Sequence, residues 1–227
     1  MINQFLFDSA FPNGGYSQSF GFESYISWGE IRDISTYEKW LENYMLNIFA
    51  MSDGTIYCIA YALKDQKLTL LKLARAANAS ISSYENLQAL IAMTKSTLNN
   101  TEFMHDDYVK WYVKVIEKDD KFANPAVAFA LLSKTQSLEN YAYATIKTLT
   151  INATRAVPLA YKKSNELIFS RQDLVKKVAS KSKSIAKELI QKGYFSLNDS
   201  SNIFATHNEL DMAMFAHEKL NFRLFMS

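Results

Sequence analysis

Histidine and cysteine are the side chains through which this chain could hold a metal or form a covalent intermediate. The histidines are His105, His207 and His217, and no two share the i, i+4 spacing that places two metal ligands on one face of a helix. Cys58 lies in the apolar run Ile56-Tyr57-Cys58-Ile59-Ala60, which is typical of a buried, unreactive thiol. We therefore expect no metal site, no catalytic residue and no cofactor.

Two glycine-containing motifs could also support chemistry, but each lacks a required residue. After Gly14-Gly15 no lysine occurs before Lys39, whereas a phosphate-binding loop needs Gly-Lys-Ser/Thr after its turn. The stretch Gly15-Tyr16-Ser17-Gln18-Ser19 lacks the second glycine of a Gly-x-Ser-x-Gly nucleophile elbow. These absences indicate a binding protein. A helical hydrolase, with its catalytic group assembled from distant helices, is the enzymatic alternative.

The composition indicates a protein of the reducing cytosol. The chain has 227 residues, a formal net charge of +2 and one cysteine, so it cannot form an internal disulfide. Its start, Met-Ile-Asn-Gln-Phe, has neither a basic leader nor a long apolar run. We expect a cytoplasmic protein without a membrane span.

Apolar residues recur at three- and four-residue steps along most of the chain, which has only six glycines and three prolines. This pattern predicts an all-α fold, with a single domain over 1–227 built from about eight to ten helices. The clearest helix follows Ser35, which forms a capping box with Glu38. Further helices are expected near 53–64, 66–78, 83–99, 101–118, 125–134, 137–157, from Ser170 or Asp173 to Gly193, and 208–219, with a loop at 194–205.

The segment from Phe11 to Glu23 joins a Pro-Gly-Gly turn to an aromatic stretch with one charged residue, Glu23. We expect a sharp turn and then a helix that opens at Ser17 or Ser19. A carboxylate among aromatic side chains needs a partner, because an unpaired buried charge is costly.

The helix 137–157 has only three charged residues, Glu139, Lys147 and Arg155, which predicts that it is the central, mostly enclosed helix. Arg155 falls opposite the apolar stripe of this helix, on a face of small or apolar residues. Its guanidinium could clamp a carboxylate or a pair of carbonyls, or it could be an ordinary charge at a helix C-terminus. We hypothesise that it anchors the N-terminal turn through Glu23 or Tyr16.

The C-terminal segment 220–227 carries several apolar side chains in Phe222-Arg223-Leu224-Phe225-Met226-Ser227. An apolar chain end would fray in isolation, so this segment either packs on the chain's own core or docks onto a partner. His217, beside Glu218, could join a partner contact; the alternative is a solvated histidine at a helix end.

Charge is unevenly distributed along the chain. Residues 1–60 contain seven acidic and two basic side chains, whereas residues 162–192 contain nine basic and three acidic ones. The two regions could attract each other or separate partners. The basic segment could also bind nucleic acid, although its lysines and serines are more typical of a solvated helix face.

Three parts of the sequence resemble the urease accessory protein F family (UreF). Asp8-Ser9-Ala10-Phe11-Pro12, Gly14-Gly15-Tyr16-Ser17 and Ser19-Phe20-Gly21-Phe22-Glu23 are similar to its N-terminal signature. Ala153-Thr154-Arg155-Ala156-Val157-Pro158-Leu159 is similar to its basic residue before a Pro-containing helix junction, and 222–227 resembles its C-terminal ending. The three parts follow the family's order and approximate spacing over essentially the whole chain.

The resemblance implies a homodimeric, non-enzymatic adaptor for urease maturation. In that family the F protein binds the D/H-type accessory protein and recruits the G-type GTPase, and the assembly delivers nickel to the urease apoprotein. After Pro158-Leu159 the family commonly continues with Gly-Gln, whereas this chain has Ala160-Tyr161. This difference leaves open the geometry of the helix junction and the pairing of the protein with one partner. The predicted partner-binding residues are Tyr16, Ser19, Glu23, Arg155, Tyr161, His217, Glu218, Arg223, Leu224 and Phe225.

Overall fold

Helices joined by short turns make up most of the computed structural model, which describes residues 2–8, 10–81, 83–157, 159–193, 208–221 and 223–226. No strand occurs in these ranges, and helices α3 to α12 each have eight residues or more, so the predicted all-α class and approximate helix number are confirmed. The helices are α1 (Ile2–Leu6), α2 (Phe22–Ser27), α3 (Ile34–Tyr44), α4 (Asp53–Ala62), α5 (Lys67–Ala79), α6 (Tyr84–Asn99), α7 (Asp107–Lys118), α8 (Pro125–Leu132), α9 (Leu138–Ala156), α10 (Tyr161–Ser170), α11 (Gln172–Lys192) and α12 (Asn208–His217).

Helix α8 occupies the centre of the core. Every residue from Pro125 to Leu132 is buried, because the run Pro-Ala-Val-Ala-Phe-Ala-Leu-Leu has no polar side chain to present to water. The prediction that 137–157 is the central, mostly enclosed helix therefore holds only in part, since α8 is the helix that is buried throughout. Helix α9 buries one face and exposes Glu139 and Tyr143 on the other.

Helix α4 packs against α8 on one side and α11 on another. The contact with α11 is close because Gly54 has no side chain: a Cβ there would collide with the hydroxyl of Ser182. Ser182 Oγ and Thr55 Oγ1 both donate to the carbonyl of Ala50, at 2.9 and 2.8 Å. This shared carbonyl fixes the position of α11 beside the start of α4.

Capping residues explain several helix boundaries. Asn124 caps α8 by accepting from the amides of Ala126 and Val127, with Pro125 in the first turn as predicted. Gly193 ends α11 with φ 68°, also as predicted. The predicted capping box of Ser35 with Glu38 is wrong, because Asp33 is the N-cap and accepts from the amide of Thr36 at 2.8 Å.

Other boundaries differ from the prediction by small amounts. The region 101–118 is divided into a 3₁₀ turn, Glu102–Met104, and α7, which Asp106 caps through the amides of Tyr108 and Val109. The last helix ends at His217 instead of 219. The loop predicted at 194–205 lies outside the described residues.

The acidic N-terminal region and the basic segment do contact each other. Arg171, just before α11, pairs with Glu38 of α3. Lys181 Nζ donates to the carbonyl of Leu46 at 2.8 Å, in the π-helical turn Met45–Phe49 that follows α3. In the described part of the chain, no helix is both long enough and apolar enough to cross a bilayer.

Candidate partner-binding site

The N-terminal signature forms a turn whose shape depends on positive backbone angles. Gly14 has φ 88°, Gly21 has φ 87°, and Phe20, directly before Gly21, has φ 49°. The prediction that Ser17 or Ser19 opens a helix is wrong: a 3₁₀ turn spans Gly15–Ser17, and α2 begins only at Phe22. Gly21 is required there, since a Cβ would lie 3.2 Å from the backbone nitrogen of Met214 in α12.

Helix α9 holds this turn in place. Asn152 Nδ2 donates to the carbonyls of Gly15 and Gln18 at 3.1 and 2.9 Å. One turn later, Arg155 Nη1 donates to the carbonyl of Tyr16 at 3.0 Å. The hypothesis that Arg155 anchors the N-terminal turn through Tyr16 therefore agrees with the geometry, and the contact is to the backbone.

The C-terminal segment lies on the same turn. The Arg155 guanidinium stacks over the ring of Phe225, 5.0 Å from its centroid, and Phe225 meets Phe22 edge to face at 5.3 Å. The amide of Met226 donates to the carbonyl of Ser17 at 2.7 Å. Phe225 is only 5% exposed, so this part of the tail packs on the chain's own core.

Glu23 has partners, as its position among aromatic residues predicted, but Arg155 is not the one it pairs with. Its carboxylate accepts from His217 Nε2 at 3.0 Å and from the amides of Leu224 and Phe225 at 2.6 and 3.3 Å. Glu23 is 6% exposed and His217 is 1% exposed, so the alternative of a solvated His217 is wrong. Three donors compensate the burial of this carboxylate.

A second carboxylate completes the group. Glu85 of α6 lies 2.9 Å from His217 Nδ1 and accepts from Arg223 Nη1 at 2.6 Å. The two ring nitrogens of His217 thus face two carboxylates, and the Arg223 guanidinium places a cation beside Glu85. We call Glu23, Glu85, His217 and Arg223 the tail clamp.

The other predicted partner-binding residues differ in exposure: Ser19 is buried, whereas Glu218, Leu224 and Tyr161 are exposed. Ser19 is fully buried, and its hydroxyl accepts from the amide of Gly21 at 3.3 Å, so it shapes the turn. Glu218 is exposed just after α12, and Leu224 is 41% exposed. Tyr161 begins α10 and is 70% exposed.

Sequence reasoning missed two residues of this region. Glu85 follows the N-cap Ser83 in the first turn of α6, where an acidic residue is common because it favours the helix dipole, so its type gave no signal. Asn152 did carry a signal: it is a polar side chain inside the apolar helix α9 and is fully buried. A buried amide needs hydrogen-bond partners, and the turn supplies them for the NH2 group of Asn152.

Exposed apolar side chains surround the clamp. Helix α12 exposes Met212 by 66% and Phe215 by 46%, and the tail exposes Leu224 and, by 71%, Met226. Helix α12 packs against α2, since Ser24 Oγ donates to the carbonyl of Ala213 at 2.6 Å. We call these four residues the apolar tail surface.

The site contains no arrangement suited to metal or thiol chemistry. Within the described ranges, no three His, Cys, Asp or Glu side chains are grouped so that they could hold a metal ion. Burial raises the pKa of the Cys58 thiol to about 12, which keeps it protonated and unreactive. Burial also raises the pKa of Tyr25 on α2 to about 12, and the charges of Glu209 and Glu30 act in the same direction.

Comparison with known proteins places the sequence among urease accessory proteins. A family model described as UreF matches residues 31–172. The chain is 28% identical over 235 residues to a urease accessory protein UreF from Streptococcus salivarius, covering 98% of this chain and 92% of the relative. It is also 28% identical over 232 residues to a urease accessory protein UreF from Lachnoclostridium phytofermentans, covering 98% and 96%. Of the tail clamp, Glu85 lies inside the segment matched by the family model, whereas Glu23, His217 and Arg223 lie outside it.

Proposed function

This chain belongs to the UreF family of urease accessory proteins, and from that premise we propose that it is a non-catalytic adaptor in urease maturation. In this proposal it binds an accessory protein of the D/H type, recruits the G-type GTPase and supports nickel insertion into the urease apoprotein. It acts in the cytoplasm as a homodimer. The observation that carries the proposal is the apolar tail surface, which is held in a fixed shape by the tail clamp.

The tail surface has the composition of a protein interface. Met, Phe and Leu side chains contribute apolar area at low cost in desolvation. The flanking charges are Glu218 and Arg223. Such a surface fits a partner protein with an apolar face better than a charged small molecule.

The clamp makes the surface well defined before a partner arrives. Leu224 and Met226 are exposed, yet the amides of Leu224 and Phe225 are bound to Glu23 and the amide of Met226 is bound to Ser17. A tail already fixed in this way loses less conformational entropy on binding than a free one. Arg155 adds to this fixation by contacting Tyr16 and Phe225 together.

The alternative of nucleic-acid binding by residues 162–192 has less support. Several cations of this segment already have partners within the chain: Arg171 pairs with Glu38, Lys183 with Glu139 at 2.6 Å and Lys192 with Glu188. A phosphate-binding surface would also lose affinity steeply as salt rises. Binding to duplex DNA or RNA that is tight at 50 mM salt and lost at 200 mM would favour this alternative over an adaptor.

The decisive experiment is urease activation with and without this chain. The urease structural proteins and the other accessory proteins are co-expressed in nickel medium, and the purified urease is assayed for nickel content and activity. We expect nickel loading to fall strongly when the chain is omitted. Equal loading in both cultures would overturn the proposal.

A second experiment tests the tail surface itself. The double variant Leu224→Asp/Met226→Asp places two charges on the surface and keeps all four side chains of the clamp, and we expect it to lose capture of the D/H-type protein in a pull-down. Leu68→Asp is the matched control, since Leu68 is 77% exposed on α5. Equal capture by both variants would remove the tail surface from the interface.

A further inference from the structure

Two adjoining cavities lie behind the N-terminal turn. Their volumes are about 70 and about 90 Å³. Both are lined by Phe20, Tyr44, Asp53 and Leu90, so these side chains stand at the boundary between them. An engineered apolar cavity of about 150 Å³ holds benzene, so the combined space suits a molecule of several heavy atoms.

Asp53 places a carboxylate at this boundary without a partner. It is the first residue of α4, and its side chain makes no hydrogen bond or ion pair with any residue that the structure describes. Burial raises its pKa to about 6, so at neutral pH it is mostly ionised and still largely deprived of water. Asp53 is partly buried, and a carboxylate that has lost much of its water and has no partner is stabilised by a cation.

Two tyrosine hydroxyls beside Asp53 are also unused. Tyr44 is only 3% exposed and Tyr141 9%, yet neither hydroxyl makes a hydrogen bond within the described ranges. Burial raises the pKa of both, and the charge of Asp53 raises it further, so both phenols lie close to that carboxylate. Buried hydroxyls normally have a partner. Each hydroxyl can donate or accept, so together with the acceptor-only carboxylate of Asp53 they can hold an occupant that donates hydrogen bonds.

The remaining lining residues fix the sign of the occupant's charge. Asp8 lines the first cavity and Asp211 of α12 the second, and the described residues of both linings include no lysine, arginine or histidine. The elements that surround Asp53 otherwise contribute uncharged groups. These include Leu6, Phe7, Phe11, Ser52, Ile56, Ala77, Ser80, Asn86, Met93, Asn124, Phe129, Leu149 and Met214.

We propose that these cavities bind a small primary alkylammonium ion, with its nitrogen at Asp53 and its alkyl chain against the aromatic and aliphatic walls. A primary ammonium has three N–H donors, and Asp53, Tyr44 and Tyr141 offer acceptors for them. The aromatic rings add attraction for a cation. A divalent metal would need several close ligands, and the described residues provide no such group here. This site is independent of the proposed adaptor function.

The test uses n-butylammonium chloride as the probe and the purified full chain, with binding followed by isothermal titration calorimetry. We expect saturable binding at pH 8 and about tenfold weaker binding at pH 5, where only about a tenth of Asp53 is ionised. The neutral analogue n-butanol should bind much more weakly at both pH values. Equal binding of n-butanol, absence of n-butylammonium binding at pH 8, or displacement of the probe by micromolar Mn²⁺ would each overturn the proposal.

Variants locate the site. Asp53→Asn should abolish n-butylammonium binding at pH 8, whereas Asp65→Asn, at an exposed position just after α4, should leave it unchanged. Unchanged binding by Asp53→Asn would overturn the assignment. If Asp53→Asn fails to fold, Tyr44→Phe removes one acceptor and should weaken n-butylammonium binding several-fold. The unaltered chain also tests the proposal, through the comparison of pH 8 with pH 5 and of n-butylammonium with n-butanol.

Discussion

His217 Nε2 lies 3.0 Å from the carboxylate of Glu23, a residue 194 positions earlier in the chain. Both side chains are buried, and His217 continues to Glu85 on its other side. This arrangement joins α2, α6 and α12, and it orients the amides of the tail toward Glu23. The contribution of this arrangement to the free energy of unfolding can be measured by replacing His217.

His217→Ala should lower the free energy of unfolding by about 3 kcal/mol, because it leaves two carboxylates in the protein interior without their shared donor. Urea denaturation followed by tryptophan fluorescence measures this loss, and hydrogen exchange should show faster exchange at the amides of Leu224 and Phe225. Glu218→Gln, one residue later and exposed, is the control and should change stability by less than about 0.5 kcal/mol. A loss of similar size in both variants would contradict the buried clamp.

Arg155→Ala should release the tail more than it destabilises the fold. The variant loses a hydrogen bond to Tyr16 and the stacking on Phe225, at an exposed guanidinium, so we expect a stability loss of about 1 kcal/mol. Arg155→Lys should recover only part of this, since lysine lacks the planar fork.

Limited proteolysis of the tail and capture of partner proteins measure the effect, with Lys147→Ala on the same helix as the control. If Arg155→Ala retained full partner binding and urease activation, Arg155 would have no functional role in the adaptor.

Asp53→Asn should change the pH dependence of stability. The folded-state pKa of Asp53 is raised to about 6 from a reference value of 3.8, so the folded protein holds this proton more tightly than the unfolded chain does. The stabilisation is complete below the unfolded pKa and is lost as pH rises through about 6.

Between pH 4 and pH 7, the free energy of unfolding of Asp53→Asn should therefore rise relative to the unaltered chain by on the order of 2 to 3 kcal/mol. Denaturant titrations at several pH values, with Asp65→Asn as the control, provide the measurement. A difference that is constant with pH would show that Asp53 is not desolvated.

Gly54→Ala should destabilise the contact between α4 and α11 by about 1 to 3 kcal/mol, although alanine favours helices, because its methyl group would collide with Ser182. Thermal unfolding measures the loss. In the double variant Gly54→Ala/Ser182→Gly the methyl group gains room, so the two single losses should not add. Strict additivity would place the strain elsewhere.

Local signals in the sequence predicted the local features of the fold. The apolar stripe after Ser35 is buried as its spacing indicates, apart from Ile48, which is partly buried; its members are Tyr37, Trp40, Leu41, Tyr44, Met45, Ile48 and Phe49. Pro125 begins a helix and Gly193 ends one, as predicted. The central position of α8 could also have been read from its uninterrupted apolar run. The segment 137–157 is longer and is also poor in charge, so its composition equally indicates an enclosed helix.

Features that depend on distant contacts were not predictable in this way. Phe20 adopts φ 49°, which a non-glycine residue tolerates only when its surroundings impose it, and the neighbouring Gly21 packs against Met214 from the other end of the chain. The burial of His217 likewise depends on Glu85, 132 residues away. Residue type and spacing indicated that Glu23 needed a partner, but the fold alone identifies which one.

The clamp also sets an order for biosynthesis. The partners of the Glu23 carboxylate come from residues 217 to 225, so a nascent chain carries this carboxylate without them until those residues have been synthesised. Helices α3 to α9 can assemble earlier from contacts among themselves. The surface proposed for partner recognition therefore forms after these helices, and a ribosome-bound fragment that ends before α12 would not yet display it.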